Sequence, residues 1–361
     1  MSKIVSIATG LPPYKHNQSD ICTFANNIYC TSEADSRKLK FLYRHSGIDT
    51  RYSVLPDYSS LCSDRQFYEQ NEDLEPFPRL EKRMEWYGQH AAKLSVKTIG
   101  CCIAGKITPK DITHLVTVSC TGLSAPGLDL EIMELMELPG NIFRTSVNFM
   151  GCYAAIHAMK IADAFCRADK TANVLIVCTE LCTLHFQKEN TVDGITSSML
   201  FSDGAAAILI TGDKESKGLS IDHFYSTVAW KGKNDMAWQL SSKGFLMTLS
   251  GYVPELIEED FHGLVTDALA TTDLQMEHIT HWCIHPGGRK ILEAVHNCLG
   301  FTNGQLSNSY DVLRKFGNMS SPTVLFVLEK IMHSLKANEP AKIFGAAFGP
   351  GISMETFILS S

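Results

Sequence analysis

Two apolar patterns alternate along the chain. HLVTVSC (114–120), NVLIVCT (173–179), AAAILIT (205–211), HWCIH (281–285), AKIFGAAF (341–348) and SMETFIL (353–359) are short, nearly continuous apolar runs rich in β-branched residues, the pattern of buried strands. Between them lie longer stretches with apolar positions at helical spacing, such as YAAIHAMKIADAF after Cys152. Strands alternating with helices predict an α/β fold.

Two of these stretches resemble each other. DITHLVTVSCTG (111–122) and EHITHWCIHPGG (277–288) share the triplet Ile-Thr-His. From Ile112 to Gly151 is 39 residues and from Ile279 to Gly317 is 38; from Gly151 to Ile176 is 25 and from Gly317 to Ile343 is 26. Each glycine opens a small-residue helix start, GCYAAIHAMKIADAF or GNMSSPTVLFVLEKI. Three elements in one order at near-equal spacing predict an internal duplication. Two βαβ-containing halves would then pack about a pseudo-two-fold, residues 1–220 carrying Cys152 and residues 221–361 carrying His285 and Asn318. Cys152 and Asn318 become opposed helix starts, and His285 falls at the C-terminal end of a strand, where ligands of α/β sheets bind.

The three residue types form a coherent chemistry. A thiol at a helix start lies near unpaired N–H groups and the positive end of the dipole, which predicts a lowered pKa and a thiolate nucleophile. Histidine serves as its proton acceptor or cationic partner, and an asparagine amide donates to an oxygen that becomes negative. Each has an ordinary alternative. Cysteine is often a buried core residue, and asparagine often caps a helix. His278, His281, Cys283 and His285 form a cluster with some likeness to a zinc site, but the Pro286-Gly287-Gly288 turn and the lack of a second ligand pair argue against it. His281 matches His114 in the repeat and reads as structural; His157 reads as packing. A papain-like hydrolase uses the same trio but needs a nucleophile signature that is absent here.

Composition narrows the setting. At 361 residues the chain suggests about two units of the usual ~100–200 residues. A net charge of −7 argues against nucleic acid and anionic membrane as partners. The N-terminus lacks a signal-like apolar region, no run approaches a membrane span, and the expected location is the cytoplasm. The 12 cysteines, at 22, 30, 62, 101, 102, 120, 152, 166, 178, 182, 283 and 298, show no C-x-x-C spacing and read as mostly free thiols.

At this point the chain resembles the type III polyketide synthases, the chalcone synthase-like branch of the thiolase/ketosynthase superfamily, over its whole length. GCYAA at Cys152, IHPGG at His285 and FGNMSSPT at Asn318 are similar to the family's nucleophile, histidine and asparagine segments, and FSDGAAA (201–207) and FGPG (348–351) also match. The resemblance implies a thiolase-like fold of duplicated βαβαβ halves in a layered αβαβα core. It implies an acyltransferase in which Cys152 takes an acyl group from a coenzyme A thioester. Malonyl-CoA is decarboxylated, His285 and Asn318 stabilise the enolate, and Claisen condensations repeat before ring closure. No bound cofactor or metal is implied, and the expected assembly is a homodimer. Alternatives are a single-condensation ketosynthase III and an inactive acyl-binding homologue.

By the same resemblance Phe201, Met247, Cys182, His185, Thr121, Ser320, Gly287 and Gly288 line the substrate pocket. Met247 stands where chalcone synthases carry a second gatekeeping phenylalanine, Cys182 and His185 replace pocket threonines, and Ala125 replaces the dimer-crossing methionine. These changes alter the cavity's shape, so the product of the plant enzymes does not carry over. Coenzyme A phosphates are expected on Lys38 and His45, with Lys40 and Arg44 substituting for an arginine that Phe41 replaces. A solvated basic helix face is the plainer reading of these four.

Overall fold

In a computed structural model of the chain, residues 2–59, 65–71, 73–302, 304–336 and 339–361 are described. Nine of the strands found there form one sheet. Five belong to the first half of the chain: β1 (Lys3–Gly10), β4 (His114–Ser119), β5 (Phe143–Asn148), β6 (Asn173–Leu181) and β7 (Asp203–Thr211). Four belong to the second: β8 (Leu219–Val228), β11 (His281–Ile284), β12 (Lys342–Gly349) and β13 (Ser353–Ser360). Two antiparallel strand pairs stand apart, β2 (Tyr14–Asn17) with β3 (Thr50–Ser53) and the hairpin β9 (Met236–Ser241) with β10 (Gly244–Leu249). The six strands predicted from apolar runs are β4, β6, β7, β11, β12 and β13.

The sheet order, β5-β4-β6-β7-β1-β8-β13-β12-β11, displays the duplication. β1 and β8 meet antiparallel at Lys3 and Ile4. On one side β4 runs parallel to β6, which is antiparallel to β7; on the other β11 runs parallel to β12, which is antiparallel to β13. Only the first arm carries a further strand, β5, at its edge. The repeated Ile-Thr-His forms the same local structure twice. Thr113 donates to Asn173 O (3.1 Å) and contacts His114 Nδ1 (2.8 Å); Thr280 donates to Lys342 O (2.9 Å) and contacts His281 Nδ1 (2.8 Å). His114 and His281 are therefore structural, as the repeat predicts. The connection between arms runs from Gly212 to Gly218, so a division at residue 220 falls inside β8.

Ten helices complete the described chain. α1 (Gln18–Tyr29), α2 (Glu33–Arg44), α3 (Leu80–Ile103), α4 (Leu128–Leu135), α5 (Ala154–Ala168) and α6 (Val192–Leu200) come from the first half. α7 (Val253–Ala270), α8 (Arg289–Cys298), α9 (Ser307–Phe316) and α10 (Thr323–Ser334) come from the second. Because strand side chains alternate faces, even-numbered residues of β6 and β7, such as Ile176 and Ile208, pack on α5, while Leu175 and Leu209 pack under α3. In the other arm Ile343 and Ala347 of β12 face α10, whereas Phe344 and Phe348 face α7 and α8. α5 and α10 share one core between the arms, and α3 and α7–α8 cover the outer faces: five layers. The alanines of α5 suit that central position, since Ala154, Ala155, Ala158 and Ala162 are wholly buried and let the helix approach both sides closely. Among the described residues no helix is long and apolar enough to cross a membrane.

Candidate active site

A cavity of about 710 Å³ opens where the central helices begin, and Cys152, His285 and Asn318 all line it. Cys152 sits in a three-residue 3-10 turn, Gly151–Tyr153, that feeds into α5. Gly151 is required there: its φ is +79°, and a Cβ would lie 2.3 Å from Pro350 Cδ in the FGPG segment. The Gly151 N–H donates to Cys120 Sγ at 3.0 Å.

The second turn repeats this design. Gly317 has φ +69°, and Asn318 follows it into the cavity. The Asn318 N–H donates to Leu200 O (2.9 Å) and Asn318 O accepts from the Ser202 N–H (2.9 Å), so Asn318 and Phe201 lie side by side in a one-residue β-bridge. Ser320 N–H donates to Asn318 Oδ1 (2.8 Å), which fixes the amide's orientation, and Nδ2 donates to Gly287 O (3.1 Å). One Nδ2 hydrogen is left over. Asn318 is not the cap of α10, a place held by Pro322.

His285 follows β11, anchored by its N–H on Ala346 O (2.8 Å). It is buried, and neither ring nitrogen has a partner among the described residues. A buried histidine with two unpaired nitrogens is uncommon unless something else is to occupy them. The zinc alternative fails on geometry: Cys283 Sγ turns to Val324 O (3.5 Å), His281 to Thr280, and no metal-binding cluster occurs among the described residues.

The electrostatics correct one expectation. Burial pushes the Cys152 thiol up to about 11, with the Ser320 hydroxyl pulling down and the Glu180 carboxylate pushing up. Burial likewise pushes His285 down to about 3. The lowered thiol pKa predicted from a helix start is therefore not found. Cys152 lies in a short turn rather than a full helical turn, and desolvation of the anion outweighs the local dipoles. Cys152 Sγ is 4.0 Å from Asn318 Oδ1.

All eight predicted pocket residues line the cavity: Phe201, Met247, Cys182, His185, Thr121, Ser320, Gly287 and Gly288. His185 is a wall and not a base. Its Nε2 is 2.8 Å from Thr121 O, its Nδ1 accepts from the Phe245 N–H (3.0 Å), its ring stacks on Phe245, and burial holds its pKa near 3. Of the predicted phosphate contacts, Lys38 and His45 reach the wall with Phe41 between them; Lys40 and Arg44 do not, because on helix α2 they project from the neighbouring face. Arg289 and Lys290 line the cavity instead, directly after the predicted Gly288.

Sequence reasoning missed Glu180 as well. It is wholly buried behind Cys152, where it accepts from Cys120 N–H (2.9 Å), Thr121 Oγ1 (2.8 Å) and Ser321 Oγ (2.7 Å), and burial raises it to about 7. The available signal was a carboxylate inside an otherwise apolar strand run. The β9–β10 hairpin that supplies Trp238 and Met247 was also missed. Cys62 lies outside the described residues; the other 11 cysteines are free.

The layered, duplicated fold is of the thiolase-like class. Residues 1–214 match the family model for the N-terminal domain of chalcone and stilbene synthases, and residues 223–361 match that for the C-terminal domain. The chain belongs to the chalcone and stilbene synthase family, the type III polyketide synthases. It is 31% identical over 365 residues to the "Alpha-pyrone synthesis polyketide synthase-like Pks18" of Mycobacterium tuberculosis, covering 98% of this chain and 89% of that one. It is 27% identical over 369 residues to "Probable polyketide synthase 1" of Dictyostelium discoideum, of which it spans only 11%. The crystal structure of PKS-I from the brown alga Ectocarpus siliculosus superposes with a TM-score of 0.92 at 27% identity, covering 99% of this chain and 97% of that one.

Proposed function

We propose that the chain is an iterative polyketide synthase that condenses malonyl-CoA onto an acyl group held on Cys152. The observation that carries this is the meeting of a thiol, an imidazole and an amide, from three distant points of the chain, in one largely apolar cavity. The Cys152 sulfur attacks the thioester carbonyl of an acyl-CoA, its proton passes to His285, and coenzyme A leaves as the thiol. Malonyl-CoA then loses carbon dioxide, and the enolate oxygen takes hydrogen bonds from a His285 ring N–H and the free Asn318 Nδ2 hydrogen. A neutral imidazole suits this second step, because it donates a hydrogen bond yet is too weak an acid to quench the carbanion. The enolate carbon attacks the acyl-cysteine, the extended chain returns to Cys152, and ring closure gives a pyrone, resorcinol or phloroglucinol-type product.

Met199, Met236 and Met247 on the cavity wall favour a fatty or other flexible acyl starter, since thioether chains repack around varied shapes. Lys38, His45, Arg289 and Lys290 line the cavity and would meet the coenzyme A phosphates, with Lys40 and Arg44 adding to the field around the entrance. These steps draw on no bound cofactor or metal, and the free thiols fit a reducing cytoplasm. A homodimer would cover the unpaired edge of β5 and the exposed Leu123, Leu130, Leu135 and Phe143 beside it; its mass would be twice 40.0 kDa. Neither a single-condensation synthase nor an inactive homologue is favoured by any feature of the site.

The test is product analysis. Purified protein given malonyl-CoA and a panel of acyl-CoAs should release coenzyme A, carbon dioxide and a cyclised polyketide detectable by mass spectrometry. No product from any starter, with Cys152→Ala leaving residual turnover unchanged, would overturn the reading.

A further inference from the structure

Arg51 is wholly buried, and among the described residues no carboxylate oxygen lies within 4.0 Å of its guanidinium. A buried cation without an anion is costly, so its other partners must account for its place. Nε donates to Gln18 Oε1 (2.9 Å), and Nη1 donates to Tyr58 OH (3.2 Å) and to the backbone carbonyl of Phe201 (2.6 Å). The aliphatic stem lies under Gly317, where a Cβ would stand 2.9 Å from Arg51 Cγ and 3.0 Å from Cδ. Arg51 thus touches both sides of the Phe201–Asn318 bridge: it holds one by its carbonyl and supports the other from below. Asn318 has little freedom apart from that bridge, since its N–H and C=O are bonded to Leu200 and Ser202. None of these contacts reaches the Gly151–Tyr153 turn.

We propose that Arg51 is a positioning residue for the decarboxylation step, setting the Asn318 amide and the Phe201 ring while leaving the nucleophile untouched. This rests on the roles assigned above to Cys152 and Asn318. A guanidinium reaches three acceptors in one plane where an ammonium does not, and misplacement of an oxyanion donor by about 1 Å can slow a step ~10²-fold.

The experiment uses the full chain with malonyl-CoA alone, following carbon dioxide release, and in parallel the rate of Cys152 alkylation by iodoacetamide. Arg51→Lys should lower carbon dioxide release about thirtyfold, short of the ~10²–10³ that losing an oxyanion donor outright costs, with alkylation of Cys152 changed by less than about twofold. Gln18→Met, which removes only the Nε acceptor and the Gln18 bonds to Met199 O and Ser46 Oγ, should give a smaller fall in the same direction and decides the matter if Arg51→Lys does not fold. Carbon dioxide release within twofold of wild type in the variants, or alkylation falling in step with it, would overturn the proposal. Failure of the underlying reading looks different: wild type would release no carbon dioxide, or Asn318→Ala would release it at the wild-type rate.

Discussion

Gly151 and Gly317 each turn the chain with a positive φ, +79° and +69°, and each delivers the next side chain, Cys152 or Asn318, into the same cavity. What supports the two turns differs. The Cys152 turn is packed by the end of β12 from the opposite half: a Cβ on Gly349 would stand 2.5 Å from Tyr153 Cδ1, and Pro350 covers Gly151. The Asn318 turn is tied by the end of β6, again from the opposite half, through Ser321 Oγ on the Glu180 carboxylate. The Cys152 turn is held mainly by steric contact on a bare backbone, beside the one Gly151 N–H bond to Cys120 Sγ; the Asn318 turn is held mainly by a buried polar network, with the Arg51 stem under Gly317. Counting from the shared Ile-Thr-His, His285 occupies the place of Val118 in the first half. The duplication supplies two equivalent positions, and the proposed function gives covalent chemistry to one and hydrogen-bond donation to the other.

That division of labour should be separable by mutation. Cys152→Ala should abolish polyketide formation by ~10³-fold or more while retaining part of the decarboxylation of malonyl-CoA, because the donors His285 and Asn318 remain. Asn318→Ala should do the reverse, forming the acyl-enzyme on Cys152, visible as a mass increment on the intact protein, yet losing ~10²–10³ in carbon dioxide release. If both variants failed equally at both half-reactions, the halves would not be specialised as described.

The polar tie predicts an effect on stability. Burial raises Glu180 from 4.5 to about 7. Between those values the folded protein keeps a proton that the unfolded chain has lost, so the unfolding free energy falls as pH rises from about 4.5 to 7 and the loss is complete above 7. Glu180→Gln carries no such proton. Wild type should lose stability relative to the variant between pH 5 and 8 by on the order of 3 kcal/mol, read from melting temperatures across that range. Asp203, raised by burial to about 6, is present in both proteins and cancels. Parallel melting curves at all pH values would remove Glu180 from this role.

The contrast also explains what the sequence could reveal. Strands covered on both faces, such as AAAILIT in β7, are apolar throughout and announce themselves. Strands with a less buried face do not: β5, at the sheet edge, reads FRTSVN and β8, where the two arms meet, reads LSIDHFYSTV, both mixing polar and apolar positions and so ambiguous. That Cys152, His285 and Asn318 would line one cavity was legible because the repeat makes Gly151-Cys152 and Gly317-Asn318 equivalent and His285 ends a strand. Arg51 and Glu180 were not, because their partners lie 150 and 141 residues away in Phe201 and Ser321 and no spacing rule links them. The direction of the Cys152 pKa was misread for the same reason, since burial is a property of the assembled layers.

The smallest effect concerns that thiol. With Cys152 pushed to about 11 and His285 to about 3, both groups are neutral at pH 7. In the proposed mechanism the proton then moves from sulfur to imidazole only in the course of acyl transfer. Alkylation of Cys152 by uncharged iodoacetamide follows its thiolate fraction, so the rate should climb close to tenfold per pH unit from 7 to 9 with no plateau. His285→Gln should leave that slope in place. A plateau near neutral pH that disappears in His285→Gln would mean instead that the two halves share an ion pair at rest, with the nucleophile held by charge as well as by the glycine contacts of β12.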